Sequence, residues 1–194
     1  NAANSGVGAI GETLMNTTPL PVPVTYVNTL DINGCTNAEN IVVTVNPMPV
    51  LTSPLTVTPK CDSTLFHYEP SSATPGTVIT WARPPFTGIA NAAATSGGNI
   101  DEYLDNTTAL PIVVTYTDTL TANGCVNTQT VPVTVFPSPQ LSSGVSATGR
   151  CTGTLFSYTP TSATPGTTFA WSRDSLAGIL NPVVTLHPNN ISEI

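Results

Sequence analysis

The sequence predicts an all-β chain of tandem Greek-key β-sandwich repeats, each about 90 residues long. Three observations carry this expectation: the chain matches itself at a fixed offset, apolar and polar residues alternate in short runs, and turn-forming residues punctuate those runs. Alternation of period two marks a half-buried strand, and short strands at regular spacing suit a sandwich. No segment shows helical spacing.

The offset comes first. Cys35 and Cys125, Cys61 and Cys151, and Trp81 and Trp171 each lie 90 residues apart. Asn16-Thr17-Thr18 recurs as Asn106-Thr107-Thr108, and Val24-Thr25-Tyr26 as Val114-Thr115-Tyr116. Ser72-Ala73-Thr74-Pro75-Gly76 recurs as Ser162-Ala163-Thr164-Pro165-Gly166. The register is expected to hold to about Asn189, where one extra residue enters. Self-similarity at such a period is the signature of a repeat architecture.

The linkers set the phase. Asn46-Pro47-Met48-Pro49 and Phe136-Pro137-Ser138-Pro139 each follow a Val-rich strand. Proline there ends ladder pairing and stiffens the connection. One complete unit therefore spans 50–139, with 1–49 the back half of a preceding unit and 140–194 the front half of a following one. Units at 1–90 and 91–180 would put the proline-rich stretch inside a domain. A chain that starts and stops mid-unit reads as a piece of a longer array.

Parity assigns the core. Phe66 and Tyr68 share a strand face, as do Phe156 and Tyr158. Ile79 with Trp81, and Phe169 with Trp171, share others. Ile112, Val114 and Tyr116 form another face, with Tyr26 its equivalent, and Val131, Val133 and Val135 one more. Trp81 and Trp171 are accordingly expected in the core rather than as a sugar-stacking platform. Thr74-Pro75-Gly76 reads as a turn, and Asn33-Gly34 and Asn123-Gly124 as tight hairpin turns, because Asn and Gly accept positive φ.

Composition bounds the function. Charged residues make up 8% of the chain, with 4 Lys+Arg against 11 Asp+Glu and a net charge of -7. Four scattered cations cannot build a phosphate-binding stripe, which argues against nucleic acid and anionic membranes. No apolar run approaches the ~20 residues of a spanning helix. No signal peptide opens the chain, so any export signal is expected to be removed or to lie outside it. The only histidines, His67 and His187, do not recur between units, and no Ser-His-Asp set, phosphate loop or His-Glu-x-x-His motif is present. The chain is expected not to be an enzyme and to need no cofactor.

Three charged positions keep their sign between units: Lys60/Arg150, Arg83/Arg173 and Glu12/Glu102/Glu193. They predict a structural ion pair between Arg83 and Glu102. Asp101, Glu102 and Asp105 form the densest acidic cluster, either a solvated loop or an oxygen-rich Ca²⁺ site. Gly11, Glu12 and Met15 stand at the matching places, so only the glutamate recurs. Four cysteines at repeated positions point to an oxidising compartment rather than to metal, because there is no Cys-x-x-Cys. The simplest pairing is Cys61 with Cys125, which would close a loop worth ~4 kcal/mol on the entropy model. If strand order holds those thiols apart, the bonds join neighbouring units or the thiols stay free.

The elements Cys-x-x-Thr-Leu-Phe-x-Tyr-x-Pro, Ser-Ala-Thr-Pro-Gly-Thr, Trp-x-Arg, Asn-Gly-Cys and Val-x-Val-x-Pro-x-Pro resemble the immunoglobulin-like PKD-like repeats of giant Bacteroidetes cell-surface adhesins, the SprB-like gliding adhesins among them. The resemblance covers the whole chain. It implies export by the type IX system, anchoring at the bacterial cell surface, and a part in adhesion or gliding motility. The implied partners are neighbouring repeats, surface polysaccharide or other copies in a filament. Asp62-Ser63-Thr64, Asp118-Thr119-Leu120 and Asp174-Ser175-Leu176 are similar to the Asp-Ser/Thr-apolar O-glycosylation motif of the same bacteria, which makes Ser63, Thr119 and Ser175 candidate attachment sites. The Asn16, Asn106 and Asn190 sequons would matter only in a eukaryotic secretory route. Two other readings stay open, a glycan-binding module and an accessory spacer, each in a secreted hydrolase.

Overall fold

The computed structural model describes residues 4–188 and 190–194. Among the described residues the regular structure is all strand, with no helix. A leading hairpin comprises β1 (Val22–Ile32) and β2 (Cys35–Val45). The middle of the chain holds β3 (Lys60–Cys61), β4 (Leu65–Tyr68), β5 (Val78–Arg83), β6 (Ala94–Gly97), β7 (Ile100–Tyr103), β8 (Ile112–Ala122) and β9 (Cys125–Phe136). The trailing part holds β10 (Phe156–Tyr158), β11 (Ala170–Arg173), β12 (Val184–Pro188) and β13 (Ile191–Glu193).

Local chemistry explains the long hairpins. Asn123 and Gly124 have φ of 51° and 79°, and Asn33 and Gly34 have 52° and 86°. Two consecutive positive φ values make a type I′ turn, whose twist matches the flanking strands. Pro132, which cannot donate to a ladder, sits in β9 where only β8 lies beside it, because β3 reaches β9 only at Val135 and Phe136.

The middle strands form two layers. A five-stranded sheet runs β3-β9-β8-β5-β6, and β4 pairs with β7 in a second ladder. All pairs are antiparallel except β3 with β9. Between the layers lie Phe66 and Tyr68 from β4, Trp81 from β5, Ile100 from β7, Val114 and Tyr116 from β8, and Val131, Val133 and Val135 from β9. Ile89 and Leu104 join them from the connections, with Leu51, Val57 and Phe86 at the margin. Phe66 reaches across the layers to Tyr116, 5.2 Å away, and within the five-stranded sheet Trp81 meets Tyr116 edge-on at 5.6 Å. Such pairs contribute roughly 0.5–1.5 kcal/mol beyond their buried area.

The sequence offset has a structural counterpart. The β1–β2 hairpin repeats β8–β9, with Ile32 paired to Cys35 as Ala122 is to Cys125. Phe156 faces Glu193 and Tyr158 faces Ile191, as Phe66 faces Glu102 and Tyr68 faces Ile100. The extra residue expected near Asn189, itself outside the described residues, is absorbed earlier, by a register shift of β12 opposite Trp171 and Arg173. A bulge takes up one residue at the cost of one ladder position and leaves β13 in register.

Candidate functional site

Two constructions stand out: a charged clamp between the layers and a built joint ahead of them. In the clamp, Arg83 on β5 donates from Nε to Glu102 Oε2 at 2.7 Å and from Nη2 to Oε1 at 2.8 Å. Tyr116 on β8 donates its hydroxyl to the same Oε2 at 2.7 Å. Nη2 also reaches the Ala92 carbonyl at 2.7 Å. Arg83 is 1% exposed. Glu102 lies on the β4–β7 ladder, whereas Arg83 and Tyr116 lie on the five-stranded sheet, so the pair spans the sandwich. Burial pushes the Glu102 carboxyl up, but the hydrogen bonds from Arg83 and Tyr116 and the guanidinium charge outweigh it and hold the pKa below the usual value. Burial first, then the bond to Glu102, raises the Tyr116 phenol well above its ordinary range.

The joint lies between Val45 and Leu51. Asn46 Nδ2 donates to the Asn123 carbonyl at 2.8 Å. Asn127 Nδ2 donates to the Pro49 carbonyl at 2.9 Å, and the Leu51 N–H donates to Gln129 Oε1. Pro47 and Pro49 are fully buried. The linker is thus clamped against one end of the β8–β9 hairpin, by its own Asn46 side chain and by the hairpin's Asn127 and Gln129. Proline fixes φ on the linker side, and the hydrogen bonds fix its position.

The remaining candidates scatter. Asp101 pairs with the exposed His67 ring at Nδ1, Glu102 turns inward to Arg83, and Asp105 accepts from Ser63 Oγ at 2.8 Å. Three carboxylates with three separate partners do not converge as a cation site needs. The hydrogen bond to Asp101 is the main cause that raises the His67 pKa. Trp81 is buried and donates to the Asn99 carbonyl at 3.2 Å, and Trp171 is half-buried beside His187. Tyr158 donates to or accepts from Ser143 Oγ at 2.6 Å, as Tyr68 does with Ser53 at 2.8 Å. Ser63 and Ser175 are exposed. Thr119 lies on the outer face of β8, but its motif neighbours Asp118 and Leu120 are buried. Lys60 and Arg150 enter no salt bridge among the described residues.

The Asn-Thr-Thr motif is structural, which sequence reading missed. Asn106 Nδ2 is buried between the Leu110 and Val135 carbonyls, 2.9 Å from each, and its Oδ1 accepts from Thr108. Asn16 makes the same set with Leu20, Val45 and Thr18. Each pins the loop before one long strand to the end of the next. A second missed residue is Asp118, buried on β8, whose two carboxylate oxygens have no protein partner.

The expected Cys61–Cys125 pairing is overturned. All four cysteines are free. Cys61 is paired with Phe136 at the end of β9, whereas Cys125 opens β9. Eleven residue steps of strand separate them, roughly 36 Å at about 3.3 Å per residue, against a Cα limit near 7 Å for a disulfide. Non-reducing peptide mapping of the oxidised chain is expected to show no Cys61–Cys125 peptide; finding one in folded material would contradict the strand order.

No protein-family model matches the chain, and no curated protein sequence matches it. Among the described residues no helix is long and apolar enough to cross a membrane.

Proposed function

We propose that the chain is a structural segment of a large secreted cell-surface adhesin, made of tandem immunoglobulin-like repeats that form a stiff stalk or filament. The carrying observation is the joint: buried Pro47 and Pro49, with three hydrogen bonds to one hairpin, make a connection that transmits orientation. A flexible linker would be solvated and rich in Gly and Ser. The strand order supports the repeat type. In support of an immunoglobulin-like unit, sheet β3-β9-β8-β5-β6 lies over ladder β4–β7, and Trp81 on the third strand of the unit packs on Tyr116, much as the tryptophan of antibody domains packs on their disulfide. The parallel β3–β9 pair, reinforced by Asp62 N–H to the Phe136 carbonyl at 2.7 Å, resists load lengthwise, because tension on the two ends of the unit pulls these strands past each other.

The motif resemblance extends the reading to PKD-like repeats of Bacteroidetes adhesins, with type IX export and a role in adhesion or gliding. The glycan-binding alternative lacks its platform at Trp81, which lies under Tyr116. Stiffness is the test. Spin labels on exposed Cys35 and Cys61, with Cys125→Ser and Cys151→Ser, should give a narrow distance distribution. Asn127→Ala with Gln129→Ala should broaden it while the thermal transition of the middle strands persists. A broad distribution in the parent chain would refute the stalk, and co-sedimentation with insoluble polysaccharide would favour the binding module.

A further inference from the structure

Each end of the complete unit carries one cysteine, and neither has a partner inside the unit. Cys61 closes β3 beside Phe136, where β9 runs out into the following linker. Cys125 opens β9 at the opposite end, paired with Ala122 across the Asn123-Gly124 turn. The preceding linker rests on that turn. The Asn123 carbonyl accepts from Asn46 at 2.8 Å, and Asn127 donates to the Pro49 carbonyl at 2.9 Å. Cys125 lies midway in sequence between those two contacts, and it is half-buried while the other three cysteines are exposed. One thiol therefore stands on the downstream side of the joint.

The repeat supplies a thiol on the upstream side. Asn46 and Phe136 lie 90 residues apart and end equivalent strands. Phe136 has Cys61 as its partner on β3, and the Asp62 N–H donates to the Phe136 carbonyl at 2.7 Å. The same register puts the Cys61-type residue of the unit before beside Asn46, one strand spacing or about 4.8 Å away. Partners on neighbouring strands share a face, so that thiol points the same way as the Asn46 side chain, which already touches the Asn123 turn. The gap left to Cys125 is of the size a disulfide spans, with Cα atoms within about 7 Å.

We infer that a disulfide crosses each joint, from the Cys61-type thiol of one unit to the Cys125-type thiol of the next. Such a bond at every joint uses two cysteines per unit, one at each end, and Cys35 and Cys151 hold the same two places. The bond forms by exchange. One thiolate attacks a disulfide oxidant, either a small-molecule disulfide or a dithiol oxidoreductase, and the second thiolate resolves the mixed disulfide. The two thiol protons and two electrons end on the oxidant, which leaves as two thiols. Residues 46–49 are then no longer the sole covalent connection between units. The joint keeps its orientation even when the three hydrogen bonds that clamp the linker give way under load. This rests on the tandem-unit reading and adds a covalent lock to it.

The experiment keeps the full chain and adds a copy of residues 50–90 ahead of Asn1, which completes the leading unit in register and leaves the joint unaltered. One variant retains only the added Cys61 and Cys125, on the two sides of the joint. A control retains only the added Cys61 and Cys35, at opposite ends of one unit. All other cysteines become serine. Both are oxidised with glutathione disulfide and mapped without reduction. The first should give a peptide that links the Cys61 and Cys125 sequences in most of the monomer, and the control glutathione adducts alone. Hydrogen-exchange protection of β1 and β2 reports that the completed unit is folded. A protected chain that shows only adducts, or a control that cross-links as fully, would overturn the bond. Strands that stay unprotected would count against the tandem-unit reading itself, and the bond would fall with it, whereas stiffness of the stalk turns on the spin-label widths alone.

Discussion

Glu102→Ala should lower the stability of the middle unit by about 3–5 kcal/mol, read as a drop in the urea midpoint. The cost follows from what the substitution leaves behind. Arg83 is 1% exposed and cannot lose its charge, so without Glu102 a guanidinium sits buried with only the Ala92 and Pro84 carbonyls as partners. Tyr116 loses its acceptor as well. Removing both charges should cost less than removing one: Arg83→Met with Glu102→Leu keeps the volume and leaves no uncompensated ion. A double-mutant cycle in which the paired change is as damaging as Glu102→Ala would show that the clamp acts by packing alone. The pH dependence has a definite sign. The folded-state pKa of Glu102 lies below its ordinary 4.5. Its contribution is therefore present above that value and is lost as the pH falls through the depressed folded pKa.

The clamp was legible in sequence because Arg83 and Glu102 sit on inward-facing parity and keep their signs from unit to unit. A charge that points into a core needs an opposite charge beside it, and each of these residues supplies the other's. The same parity exposed Val114, Tyr116, Val131, Val133 and Val135 as core. What stayed open was the choice that strand order in space decides. Cys61 and Cys125 look paired along the chain, but β3 runs parallel to β9 and meets it at the far end from Cys125. The prolines of the joint could be read, whereas Asn127 and Gln129 could not, since polar residues near a hairpin tip are ordinary until a linker lies against them. Asn16 and Asn106 carried a modification motif that masked their hydrogen-bonding role.

Asp118 is the place where alternation and residue type conflict, and it gives the second large effect. The strand parity that buries Tyr116 and Leu120 also buries Asp118, which is 0% exposed with neither oxygen bonded to the protein. Desolvation raises its pKa from 3.8 to about 6. The folded state therefore holds the proton more tightly than the unfolded chain. The stabilisation is complete below 3.8 and is lost as the pH rises through about 6. At neutral pH the buried charge costs about 3 kcal/mol. Asp118→Asn, the residue type that stands at the equivalent Asn28, removes that charge with little change of shape. Its melting temperature at neutral pH should exceed the parent's by more than about 10 °C. The parent chain feels two opposed titrations, Glu102 favouring higher pH and Asp118 lower, so its stability should peak under mildly acidic conditions. The variant should lose most of that decline toward neutrality and keep only the small part due to His67, whose raised pKa also favours lower pH. Equal slopes for parent and variant across that window, or a variant less stable at neutral pH, would mean that Asp118 finds a compensating partner in solution.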